Sequence, residues 1–153
     1  LSAAYGMPQE PGLETAFDFV PLEPGSYEIG PFTLTAGLVN HPVEAYGFRV
    51  AGGGRVVAYS GDTGECHELV KLAASADLLL CEASFVEQPD LPTGLHLTGR
   101  QAAEHAAKAG VGRLVLTHLV PWNDQATVLA DASRGGYAGP VELARSGTVY
   151  DLA

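Results

Sequence analysis

Three short apolar runs, each stopped by a polar residue, constrain the fold of this chain more than any other feature. Val56-Val57-Ala58-Tyr59 runs into Ser60-Gly61-Asp62-Thr63-Gly64, Leu78-Leu79-Leu80-Cys81 into Glu82-Ala83-Ser84, and Leu114-Val115-Leu116 into Thr117-His118. The near-continuous runs of Leu78 to Cys81 and Leu114 to Leu116 read as buried strands of a parallel sheet. Helical patterns lie between and after them, at Glu65 to Ala74, Thr98 to Ala109 and Asp124 to Ala132. The second is the best defined. Thr98 is a good N-cap, Gln101 falls at N3 as in a capping box, and Gly110 closes the end.

Upstream the pattern is that of hairpins. Tyr27 to Ile29 and Phe32 to Ala36 flank a Gly30-Pro31 turn, and Tyr46 to Val50 and Arg55 to Tyr59 flank Gly52-Gly53-Gly54. Val141 to Leu143 and Thr148 to Leu152 predict a closing pair of strands. Hairpins followed by strands interleaved with helices predict a layered α/β domain with a mixed sheet (α+β in chain order). Residues 1–26, with Pro8, Pro11, Pro21 and Pro24, read as an irregular lead-in, and residues 27–153 as the domain.

Composition bounds what such a domain does. The 153 residues suit one domain, and the net charge of −10 repels phosphate backbones, which disfavours a general nucleic-acid binder. Two cysteines form no disulfide framework, so a reducing, cytoplasmic setting is expected. No apolar run reaches the roughly 18 residues of a membrane span, and the N-terminus has neither the basic start nor the apolar stretch of a secretory signal. Leu1 in place of an initiator methionine points to a processed or excerpted chain.

Ligands in open α/β sheets gather beyond the carboxyl ends of the strands. There the chain places Asp62, Glu82 and His118, and a loop brings His96 to a helix start. Carboxylate and imidazole groups of this kind suit zinc, iron or manganese. Each residue also has a plain structural reading: a turn or cap for Asp62, an ion pair for Glu82, a loop position for His96, a satisfied histidine for His118. His67 and His105 lie on predicted helices and are expected at the surface. Cys66 reads as a small packed residue and Cys81 as core, while Trp122 either walls the pocket or is buried under its loop.

Ser60-Gly61-Asp62-Thr63-Gly64, Cys81-Glu82-Ala83-Ser84-Phe85, His96-Leu97-Thr98 and Leu116-Thr117-His118, in that order, resemble successive motifs of the metallo-β-lactamase fold. They most resemble its branch of ribonuclease Z-like and cyclic-nucleotide phosphodiesterase-like hydrolases. The resemblance implies an αββα sandwich, of which residues 27–153 match the C-terminal half, with helices on one face of the sheet. It implies that Asp62 bridges two divalent metal ions (zinc first, manganese or iron otherwise) and that His118 binds one of them. His96 would contact the scissile phosphate, and Glu82 would orient His96 or relay a proton. His41, in Asn40-His41-Pro42-Val43-Glu44-Ala45-Tyr46-Gly47, resembles another recurrent segment and is expected in a supporting or substrate-side role, as are Thr63 and Thr98.

The family's His-x-His-x-Asp-His loop is absent, since no two of the five histidines are separated by a single residue. Asp62 and His118 alone fall short of the three protein ligands that a catalytic zinc usually takes. The expectation is therefore an incomplete, inactive half of a metal-dependent phosphodiester hydrolase. Its exposed sheet edge and apolar face would meet a second copy or the N-terminal half. Among substrates, a small phosphodiester such as a cyclic nucleotide fits the acidic chain better than transfer RNA, for which no basic arm is present. Alternatives are a thioester or lactam hydrolase of the same superfamily, and a non-catalytic binding or assembly module.

Overall fold

A computed structural model describes residues 13–152. Seven strands form one sheet in chain order: β1 (Gly25–Ile29), β2 (Phe32–Leu38), β3 (Tyr46–Gly52), β4 (Arg55–Tyr59), β5 (Leu78–Glu82), β6 (Arg113–Thr117) and β7 (Val141–Leu143). β1 to β4 pair antiparallel, and β4 to β7 pair parallel. The layered α/β class with a mixed sheet is thus the observed one. The first hairpin turns through Gly30 at φ 59°, and the second through Gly53 and Gly54 at φ 58° and 76°, conformations open to glycine.

The parallel strands are joined by crossovers carrying α1 (His67–Leu72) and α2 (Gly99–Ala109), and α3 (Gln125–Ala132) precedes β7. Alternate strand residues Ala58, Leu79, Cys81, Leu114 and Leu116 pack with Leu69, Ala102, Ala106 and Val128, so all three helices share one face of the sheet. On the opposite face Ile29 and Phe32 are exposed, and Phe48 and Val50 are half-buried. The strand-proximal part of the lead-in reaches that side, where the Tyr46 hydroxyl donates to the Leu22 carbonyl at 2.9 Å.

The Thr98 capping box is present as expected, and Gly110 ends α2 in the left-handed region at φ 65°. Asp124 caps α3 by accepting from the Thr127 amide at 3.0 Å. Three expectations need correction. The helix expected over 65–74 is confined to His67–Leu72. Residues 148–152 form no strand, and Val149 is exposed; β7 is a three-residue edge strand and gives an alternating segment little to pair with. The irregular lead-in yields to β1 at Gly25, two residues early, and residues 1–12 lie outside the described part.

Candidate active site

The loop after β4 delivers Asp62, the end of β5 delivers Glu82, and the residue after β6 is His118. The parallel register sets Glu82 opposite Thr117, which brings the two strand ends level. His96 arrives two residues before the Thr98 cap of α2. The four residues form two acid–imidazole pairs: His96 Nδ1 lies 2.8 Å from Glu82 Oε1, and His118 Nδ1 lies 3.1 Å from Asp62 Oδ1. The rings of His96 and His118 meet edge to face with centroids 5.0 Å apart, so the pairs are neighbours.

Their environments differ. Glu82 is 1% exposed, and its carboxylate accepts from the amides of Thr63 at 2.7 Å, Leu97 at 3.2 Å and Ser84 at 3.3 Å as well as from His96. Such a carboxylate is fixed in place by its donors. Because it only accepts, His96 Nδ1 carries the proton and Nε2 is left for other work. The side chains of Asp62 and His118, in contrast, are 45% and 40% exposed.

Local backbone geometry serves the same end. Gly61 sits at φ 61°, and a Cβ there would stand 2.3 Å from the Tyr46 carbonyl oxygen, so the residue before Asp62 must be glycine. His118 itself adopts φ 54°, an unusual conformation for a residue with a side chain, and such strain concentrates at functional sites. The Ser84 hydroxyl donates to the His118 carbonyl at 3.0 Å and holds the strained residue.

His41 lies with them. Its ring centroid is 5.7 Å from that of His96, and its buried Nδ1 has no hydrogen-bond partner. Thr63 and Thr98 are close by, but their hydroxyls serve the scaffold: Thr63 Oγ1 donates to the Gly64 carbonyl at 2.7 Å, and Thr98 Oγ1 accepts from the Gln101 amide at 3.2 Å. A cleft of about 300 Å³ opens beside His96, lined among others by Phe85, Glu65, Leu91 and Gln101. Trp122 is 80% exposed, so it is not the buried aromatic that one sequence reading allowed. Burial pushes the Cys81 thiol far above its usual range, as befits a core residue.

The donor set fits a divalent cation. Ligand atoms of Glu82, His96 and His118 lie within 4.8 Å of one another, yet four hydrogen bonds already occupy Glu82. Asp62 and His118 are the more exposed pair and could hold a cation, whereas the Glu82 oxygens are already engaged with His96 and three amides.

Sequence reasoning missed His105. Expected at the surface, it is 3% exposed. The signal was available: Ala102, His105, Ala106 and Ala109 follow the i, i+3, i+4, i+7 stripe of a helix face turned to the core.

Fold and site together point to the metallo-β-lactamase superfamily. The beta-lactamase superfamily domain profile matches residues 4–119, and the chain belongs to that family. A Mycobacterium leprae protein is 43% identical over 125 residues, covering 81% of this chain and 44% of its own length. Ribonuclease Z of Myxococcus xanthus is 41% identical over 125 residues, covering 80% of this chain and 40% of its own. The crystal structure of the metallo-beta-lactamase fold protein YhfI from Bacillus subtilis superposes with a TM-score of 0.78 at 31% identity, covering 86% of this chain and 54% of that one. The chain thus spans about half the length of the relatives it matches.

Proposed function

We propose that this chain provides one half of a metal-dependent phosphodiester-hydrolysing site, completed in a longer parent by the half that it lacks. The observation that carries this reading is the neighbouring of two differently built pairs, Asp62 with His118 and Glu82 with His96. Asp62 and His118 are the residues that would hold the divalent cations, zinc above manganese or iron. When bound, such cations would supply Lewis-acid chemistry, activating a water and offsetting charge on the phosphoryl oxygens. His96 presents Nε2 to the ester. In its imidazolium form it hydrogen-bonds a phosphoryl oxygen or gives its proton to the leaving oxygen. Glu82 fixes the ring through its contact with Nδ1. His41 supports the same side of the site.

The substrate that suits an acidic chain is a small phosphodiester such as a cyclic nucleotide, because little basic surface is offered to a long polyanion. A ribonuclease reading draws on the likeness to the Myxococcus xanthus enzyme, and basic surface in the remaining half would be its requirement. The two free thiols suit a cytoplasmic setting. No helix among the described residues is long and apolar enough to cross a membrane. The edge of β1 and the uncovered apolar face suit a second copy or the remaining half.

Elemental analysis and turnover of bis(p-nitrophenyl) phosphate test the reading. In the parent, Asp62→Ala abolishes metal content and turnover together. His96→Ala keeps the metal and slows turnover by about 10²-fold, the scale of general acid catalysis. Undiminished turnover in the His96 variant removes it from the mechanism. In the 153-residue chain alone, metal content near zero fits an incomplete site, whereas two ions per chain overturn the half-site reading.

A further inference from the structure

We propose that His105 is a positioning residue for the metal-holding loop: from the body of α2 it clamps the segment that carries Asp62. The chemistry of its ring follows from its partners. Nδ1 lies 2.8 Å from the Gln101 carbonyl oxygen, which only accepts, so Nδ1 bears the proton. Nε2 accepts from the Cys66 amide at 3.2 Å, so it bears the lone pair. A buried imidazole with both nitrogens engaged in opposite senses is a neutral, single-tautomer connector between elements 39 residues apart.

The clamped end needs an outside partner. Cys66 is the N-cap of α1, a helix of six residues, and its side chain makes no capping hydrogen bond. The loop from Ser60 to Cys66 is tied along its length, in part through its own amides. Thr63 donates to Glu82, Gly64 donates to the Asn40 carbonyl at 2.7 Å, and Cys66 donates to His105. Thr63 Oγ1 also meets Cys66 Sγ at 3.5 Å, which passes the restraint at Cys66 back toward Asp62. α2 therefore serves the site twice. Its N-terminus sets His96, and His105 on its body sets the loop of Asp62, so one rigid helix fixes the distance between the two pairs.

The role in cation holding rests on the function proposed above, whereas the clamp itself does not. Nuclear magnetic resonance of the isotope-labelled 153-residue chain without metal is expected to show His105 as the Nδ1–H tautomer, with its Nε2 coupled to the Cys66 amide. An Nε2–H tautomer overturns the proposal. His105→Leu fills the core without an acceptor, and His105→Gln returns one through its side-chain oxygen. The leucine variant is expected to shift the amides of Gly61 to Cys66 while the rest of the spectrum stays in place. Introduced into the longer parent, it is also expected to weaken binding of zinc by about tenfold, the low end for groups that orient metal ligands. Glutamine is expected to restore both. Unmoved loop amides in the leucine variant sink the clamp; so does a glutamine variant that behaves like leucine. Should the leucine variant unfold, the wild-type tautomer and the glutamine variant's loop amides still decide. Absence of zinc binding in the wild-type longer parent would count against the metal site and leave the clamp to be judged by the tautomer and the amides.

Discussion

At the scale of single residues, the site is built from groups whose neighbours leave them one role each. Glu82 has its oxygens engaged by three amides and one imidazole, which suits it to orienting His96. His118 is held in a left-handed backbone by Ser84, and Asp62 follows a glycine that admits no side chain. Gly61→Ala should accordingly cost about 2 kcal/mol or more, since it combines a positive φ with a clash against the Tyr46 carbonyl. Urea unfolding checks the cost, and metal titration of the parent should show weaker binding as Asp62 moves. Stability equal to the wild type would mean that the loop relaxes freely. Asp62, Glu82, His96 and His118 were all legible, because each interrupts an apolar run or opens a helix. The burial of His105 was not read because histidine among alanines on a helix looks polar before the stripe is counted.

At the scale of elements, α2 is the part whose ends the sequence states outright. A side-chain cap, its reciprocal glutamine and a terminal glycine are local devices, and local devices survive folding unchanged. Thr98→Ala should cost about 1 kcal/mol, the usual worth of a lost N-cap. Its effect should extend to the site, because the cap sits two residues from His96; chemical denaturation and the His96 ring resonances are the measurements. An unshifted His96 would show that Glu82 alone fixes the ring. Segments whose state depends on a neighbour were less legible. Thr148 to Leu152 alternates like a strand, yet the three-residue edge of β7 supplies no length of ladder to continue.

At the scale of the whole molecule, one carboxylate ties the two regimes of the sheet together. Asp77, just before β5, accepts from the Val56 amide at 2.7 Å and from Arg55 at 3.0 Å on β4, the strand where antiparallel pairing gives way to parallel. The Val56 amide first, and the Arg55 guanidinium after it, hold this carboxyl below the usual aspartate range. A depressed carboxylate contributes its stability above the unfolded pKa and loses it as pH falls through the folded one. Asp77→Asn should therefore lower thermal stability at neutral pH, with the difference from wild type shrinking as the solution is acidified through the aspartate range. A difference that persists unchanged into acid would assign the effect to shape rather than charge.

That change of pairing sense also divides the chain in time. β1 to β4 meet across tight turns or short loops, so their contacts close small loops and form early, whereas β5 and β6 wait for crossovers through α1 and α2. Asp62, Glu82 and His118 all follow strands that take part in the parallel pairings. A refolding chain can thus complete its hairpins while Asp62, Glu82 and His118 are still apart, and their gathering waits on the crossovers.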